Sequence, residues 1–125
     1  ISPEIIRNNI PVNSINNSIW QFLNEGRIDN IIPLLIGEKG PLWYRGYMID
    51  EPGISFNENE LENILSYFDA KTIIFAHTEV SHIKPLFNKK LIAVDVPLSS
   101  ESAEGLFIKD NEYYRVTVNG KRMKL

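Results

Sequence analysis

Both histidines of the chain fall in one stretch, "FAHTEVSH", residues 75–82. Imidazole is the commonest protein metal ligand, and it titrates near neutrality. His77 follows the apolar run "TII", which predicts that it sits at the end of a strand. In open α/β sheets, ligands collect outside the carboxyl ends of strands. Position alone leaves two readings for His77: a ligand, or an imidazole hydrogen-bonded at a strand terminus. His82 lies five residues further on, outside the i, i+4 spacing of a zinc-binding helix. It reads as an ordinary histidine at the start of the next strand.

Two other groups could carry chemistry. Arg45 lies in "GPLWYRGY", and a guanidinium fork held among rings and glycines suits two-point recognition of phosphate or carboxylate. The plainer alternative is a surface arginine stacked on Trp43 or Tyr47. Asp95 in "IAVDVP" is a carboxylate in an apolar strand, and burial there demands a partner. It could orient a ligating histidine or accept backbone N–H bonds at the strand's end. Asp50 and Glu51 read as solvated loop charges, and "SSES" at 99–102 as a turn. There is no G-x-S-x-G elbow and no P-loop.

The remaining composition narrows the classes. The chain has 125 residues and a formal net charge of −3, which points to neither nucleic acid nor an anionic membrane surface as partner. The basic residues of "NGKRMKL" read as solvated surface. With no cysteine, disulfides, thiolate nucleophiles and zinc–cysteine sites are excluded. No apolar run approaches a membrane span. The opening "ISPEIIRNN" lacks an initiator Met, so we expect a fragment of a longer reading frame.

The elements that must position these groups follow from periodicity. Residues 1–12, with Pro3 and Pro11, read as loop with a short turn. "NSINNSIWQFLNEG" reads as a helix ended by Gly26, with Ile15, Ile19, Phe22 and Leu23 at helical spacing. "RIDNIIPLLI" is a short helix or buried coil around Pro33. "GEKGPLWYRGYMIDEPGIS" is a long loop. "FNENELENILSYF" is a helix capped by Asn57, with Glu60 three residues on and a staple from Phe56 to Leu61. Its apolar face is Leu61, Ile64, Leu65 and Phe68. "KTIIFA" predicts a strand buried on both faces. "HIKPLF–NKK–LIAVDV" and "EGLFIK–DN–EYYRVTV" predict hairpins, and "NG" at 119–120 a third reversal. The expected class is α/β or α+β, a single domain over 1–125, with helices followed by a mostly antiparallel strand meander.

Taken together, these segments resemble the calcineurin-like metallophosphoesterases, in the bacterial branch related to serine/threonine protein phosphatases. "ISPEI" is similar to the tail of that family's H-G-G-[IL]-S-P segment, and "GPLWYRG" to its G-P-x-W-Y-R-G segment. "IIFAHTEVSHIKPLFNKKLIAVDVP" is similar to its strand, [GA]-H-T, variable loop and following strand. "EGLFIKDNEYYRVTVNGK" is similar to its closing hairpin. The resemblance implies that His77 is a metal ligand and that Arg45 holds the substrate phosphate. Ile1, Ser2 and Pro3 would follow a second ligating histidine, absent from this chain, and His82 inherits no role. The family's G-D-x-H, G-D-x-x-D-R-G and G-N-H-[ED] motifs, with the general acid and most ligands, are absent as well.

The resemblance thus implies the C-terminal portion of a phosphatase whose complete form uses two divalent metals, manganese, iron or zinc. The expected partner is a phosphorylated substrate, the expected setting cytoplasmic, and the 125-residue piece alone inactive and without bound metal. An unpaired edge at "TIIFA" would favour self-association. The competing reading is a non-catalytic module that binds a partner or an anion through the 40–47 loop.

Overall fold

Ser2 starts the first helix. Its hydroxyl accepts a bond from the Glu4 N–H, and Pro3 occupies the first helical turn of α1, Pro3–Arg7. Residues 1–12 are therefore not loop, as the two prolines had suggested. Proline at the first helical position gives up an N–H that no helix uses and supplies a helical φ. The computed structural model describes residues 1–48, 56–99 and 101–125. Asp50, Glu51 and Ser100, read above as loop and turn residues, lie outside them. The chain folds as two units, Ile1–Ala70 and Lys71–Leu125.

The first unit is helical. Helix α2 spans Val12–Glu25 and ends at Gly26, whose φ of 66° is the left-handed conformation of a helix C-cap. Asp29 then accepts from the N–H groups of Ile31 and Ile32 at 3.0 and 3.1 Å. That caps the short helix α3, Ile32–Leu35, which tolerates Pro33 because it stands in the first turn. Helix α4, Glu58–Tyr67, begins as its sequence predicts: the Asn57 side chain accepts from Glu60 N–H at 3.1 Å. The Glu60 carboxylate turns instead to Arg7, 3.6 Å away, and Tyr67 donates to Asn9 at 3.1 Å. Ile5, Ile10, Ile15, Ile32 and Leu35 form the core of this unit, with Ile19, Phe22 and Phe68 packed against it.

The second unit is built of two three-stranded sheets. In the first, β1 (Ile73–Phe75) runs parallel to β3 (Leu91–Ala93), and β2 (Lys84–Leu86) pairs antiparallel on β3's other side. The central, wholly buried strand is thus β3. Strand β1, expected to be covered on both faces, leaves Ile74 45% exposed. Its composition is that of a central strand, but its place is at the edge of the sheet. The second sheet is an antiparallel meander of β4 (Glu104–Lys109), β5 (Glu112–Thr117) and β6 (Arg122–Lys124).

Both tight reversals of that meander follow from residue type. Asp110 and Asn111 carry φ of 53° and 61°, the pair of left-handed residues that a two-residue hairpin of matching twist requires. Gly120 supplies φ of 81° at the next. Ile83, Ile92 and Val96 form the core of this unit, with Leu106, Tyr113 and Leu125 packed on it. Glu104, only 8% exposed at its side chain, accepts from Ile83 N–H at 3.0 Å and lies 3.6 Å from Arg115. The chain is therefore of the mixed α+β class, helices first and small sheets after. One parallel pair sits among the antiparallel ones. No helix of the described residues is long and apolar enough to cross a membrane.

Ile92 is fully buried and Leu98 is 83% exposed. Ile92→Ala should therefore cost about 2–5 kcal/mol, and Leu98→Ala no more than about 0.5 kcal/mol. Denaturant titration of the two variants checks the difference.

Candidate functional site

The segment "GPLWYRGY" is shaped by what its glycines allow. Gly40 N–H donates to Gly37 O at 2.8 Å, and Gly40 O accepts from Trp43 and Tyr44 at 3.3 and 3.0 Å. The close turn presses Gly40 on the C-terminal end of α3. A Cβ at position 40 would lie 2.0 Å from Leu35 O and 2.4 Å from Leu34 O. Only glycine fits there. Gly46 is held under the ring of Tyr44, where an added Cβ would meet the phenol oxygen at 2.4 Å.

The aromatic residues then divide by direction. Tyr47 is buried, 7% exposed, and its hydroxyl donates to the carbonyl of Ile1. Its ring meets Tyr44 edge-on at 5.0 Å and Phe56 at 4.8 Å. Ser2, besides capping α1, donates its hydroxyl to Lys39 O. Tyr44 and Tyr47 thus anchor the loop, while Trp43 and Arg45 are exposed residues of it. Met48 N–H donates to Arg45 O at 3.0 Å, closing the turn on its far side. The result is a guanidinium presented beside an exposed indole on a backbone fixed from beneath. Such a fork can grip a phosphoryl or carboxylate group by two parallel hydrogen bonds.

Burial marks the anchors electrostatically as well. Desolvation pushes the Tyr44 hydroxyl up to about 12, helped by the charge of Glu60 and opposed by that of Arg7. Burial pushes Tyr47 higher still, with Tyr44 adding to it. Both phenols stay neutral across the physiological range, which keeps Tyr47 a donor.

In the second unit, His77 lies just beyond β1, half-buried, with a φ of 72°. Left-handed backbone at a non-glycine residue is uncommon, and it gathers at functional positions. The hydroxyl of the next residue, Thr78, is buried without a hydrogen-bond partner among the described residues. His82 is exposed, its Nδ1 3.0 Å from Ser81 Oγ. Asp95 falls after β3 and is half-buried rather than enclosed. Its carbonyl accepts from Val80 N–H at 2.9 Å, so its backbone ties the loop that carries His77 and His82 to the strand's end. Among the described residues no group of three or more histidine, cysteine, aspartate or glutamate side chains could hold a metal ion. The donor set does not fit the expected two-metal centre.

The chain is an α+β protein with an arginine presented on a glycine-shaped loop and a histidine at a strand end. Solved structures share that fold along its whole length. The cold-active protein-tyrosine phosphatase of a psychrophilic Shewanella is 30% identical, with a TM-score of 0.84. The match covers 100% of this chain and 38% of that one. A point mutant of a cold-active protein tyrosine phosphatase and a further structure under that name are each 30% identical with TM-scores of 0.83. No family model matches the chain, and no curated protein sequence does.

These findings correct the family reading. The matched structures bear the name of a protein-tyrosine phosphatase, not of a calcineurin-like metallophosphoesterase or a serine/threonine phosphatase. The C-terminal metallophosphoesterase fold, the two divalent metals and the manganese assignment fall with it, since the described residues offer no metal cluster either.

Sequence reasoning singled out Arg45 and His77 by residue type, and the structure places Arg45 in an exposed loop and His77 just past β1. It missed what holds Arg45 in place: Gly40, Gly46, Tyr47 and Ser2. The signal was present in the paired glycines that bracket "PLWYR", which are unneeded in a merely exposed loop.

Two outcomes follow for the anchors. Gly40→Ala should destabilise the first unit by several kcal/mol, about 3 or more, as the Cβ is driven into backbone. Gly26→Ala has nothing within 4 Å and should cost only about 1 kcal/mol of left-handed strain; thermal unfolding separates the two. Because folding raises the Tyr44 pKa from 10.0 to about 12, its contribution is intact below pH 10. It is lost as pH rises through about 12. Ultraviolet difference absorbance should show Tyr44 and Tyr47 ionising well above pH 10, together with alkaline loss of structure.

Proposed function

We propose that the chain is part of a phosphatase and that the 40–47 loop meets the phosphoryl group of the substrate. The observation that carries the reading is the alignment of the whole chain with a protein-tyrosine phosphatase at 30% identity and a TM-score of 0.84. The chain spans about two-fifths of the matched phosphatase, at 38% of its length, so activity belongs to the longer protein. The substrate class is a phosphorylated protein side chain, phosphotyrosine in the first instance, by analogy with the name the neighbours carry.

In this reading Arg45 supplies the positive charge. Its fork binds two phosphoryl oxygens and neutralises charge that builds on them as the ester bond breaks. Tyr44, Tyr47, Gly40 and Gly46 hold the backbone that aims it, so little reorganisation is needed when substrate arrives. Exposed Trp43 offers a flat apolar surface on which the phenol ring of the substrate can stack. His77 enters as an imidazole offered at a strand end and is assigned to no metal pair. A second reading, a non-catalytic module docking a partner through the same loop, draws on the exposure of Leu42 and Trp43, at 47% and 50%.

The two readings separate in kinetics. With the longer protein acting on a phosphotyrosine peptide, Arg45→Ala should lower kcat/KM by about 100-fold. Arg45→Lys should recover only part of that loss, because an ammonium lacks the fork. His77→Ala should lower kcat, while His82→Ala should leave it unchanged. The 125-residue chain by itself should show no turnover. Full activity of Arg45→Ala, with loss only of partner capture, would establish the docking module instead.

A further inference from the structure

Three turns converge at one end of the second unit and have no part in the reading above. Lys71 and Thr72 stand ahead of β1, Asn88 to Lys90 form the β2–β3 turn, and Asn111 to Tyr113 open β5. Together they line a cavity of about 230 Å³. Strand β1 starts at this end and His77 lies past its other end, so the cavity is separate from the histidine.

The cavity's chemistry is cationic. Lys71, Lys89 and Lys90 line it against a single carboxylate, Glu112. That carboxylate is drawn first to Lys124, whose Nζ lies 2.9 Å from it, and this bond, with the charges of Lys124 and Lys89, holds the Glu112 carboxyl below its ordinary range. Lys89 and Lys90 are half-buried, so their aliphatic stems form part of the cavity wall. The wall is fixed by a short relay: Tyr113 donates to Thr72 Oγ1 at 2.8 Å, and Thr72 donates to Lys89 O at 3.1 Å.

The turn bearing the lysines is strained. Phe87, Asn88 and Lys89 have φ of 46°, 54° and 68°, a run of left-handed residues with no glycine. Lys90 N–H closes the turn on Phe87 O at 3.1 Å. An L-residue in this region costs roughly 1–2 kcal/mol, and strain of this kind persists where the surroundings over-determine it and clusters at ligand sites. Here it brings two consecutive lysines to the mouth of one cavity.

We propose that this cavity binds a phosphate-sized tetrahedral dianion, held by Lys71 and Lys89 as point charges with the Asn111 amide as a further donor. A lysine-rich, unforked site suits an ion of that symmetry more than a planar carboxylate. The ion could arrive as free phosphate or as a phosphoryl side chain.

Amide spectra of the 125-residue chain, titrated with inorganic phosphate against a chloride series of equal ionic strength, test the site. The expected result is saturable shifts at Asn88 to Lys90 and Asn111 to Tyr113. Lys89→Gln should weaken the effect about tenfold while keeping the dispersion of the folded spectrum. Lys84→Gln, an exposed lysine outside the cavity, should bind as the parent does. A parallel titration with phosphotyrosine amide assigns the source: tighter binding than phosphate points to a phosphoryl side chain, weaker binding to the free ion. Shifts no larger than those from chloride overturn the proposal. So do shifts confined to Tyr44 to Gly46, or equal losses in the two lysine variants.

Discussion

The first unit turns on the contact between Gly40 and the last carbonyls of α3. No side chain can stand at position 40, because a Cβ there would lie 2.0 Å from Leu35 O. The contact lets the chain reverse tightly after a four-residue helix. From that reversal the next residues can send Tyr44 and Tyr47 inward and Trp43 and Arg45 outward. The anchor at the other end is the buried Tyr47, bonded through its hydroxyl to Ile1 O and packed edge-on against Phe56. An exposed arginine has rotamer entropy to lose on binding. A rigid backbone beneath it limits how much more must be ordered when an anion arrives.

The second unit shows the same economy with strands. β3 is short but central, and its three residues are fully buried between β1 and β2. The turns, not the strands, carry the polar and charged groups with unusual geometry. His77, Asn88, Lys89, Asp110 and Asn111 all adopt positive φ. Asn and Asp do so at modest cost, whereas Phe87 and Lys89, also at positive φ, have no such excuse in residue type. Such departures from local preference are expected at functional places rather than in the core.

Local signals in the sequence were reliable where one residue's physics decides the outcome. Asn57 caps α4, Gly26 ends α2, and the Asp110–Asn111 pair makes the hairpin. They failed where the outcome depends on partners distant in sequence. Pro3 and Pro11 suggested loop, yet Pro3 opens a helix, because the Ser2 side chain caps its first turn. "TIIF" suggested a strand covered on both faces, but composition does not tell a central strand from an edge one. Residue type and setting single out Arg45 and His77 as candidates, and they go no further than that. The support beneath Arg45 comes from Ile1, Ser2 and Phe56, and their convergence cannot be read from spacing. The family reading failed for a different reason: short segments such as "GPLWYRG" and "AHT" resemble a family's motifs over only a few residues, whereas the whole-chain comparison points to the protein-tyrosine phosphatase structures.

The central claim is that the glycine-shaped loop presents Arg45 to a phosphoryl group. A crystal structure of the longer protein with a tightly bound phosphate mimic such as tungstate tests it most directly. The account predicts the oxyanion within about 2.7–2.9 Å of both terminal nitrogens of Arg45, with Gly40 and Tyr47 unmoved. An oxyanion bound elsewhere, with no contact to the Arg45 guanidinium, would contradict it.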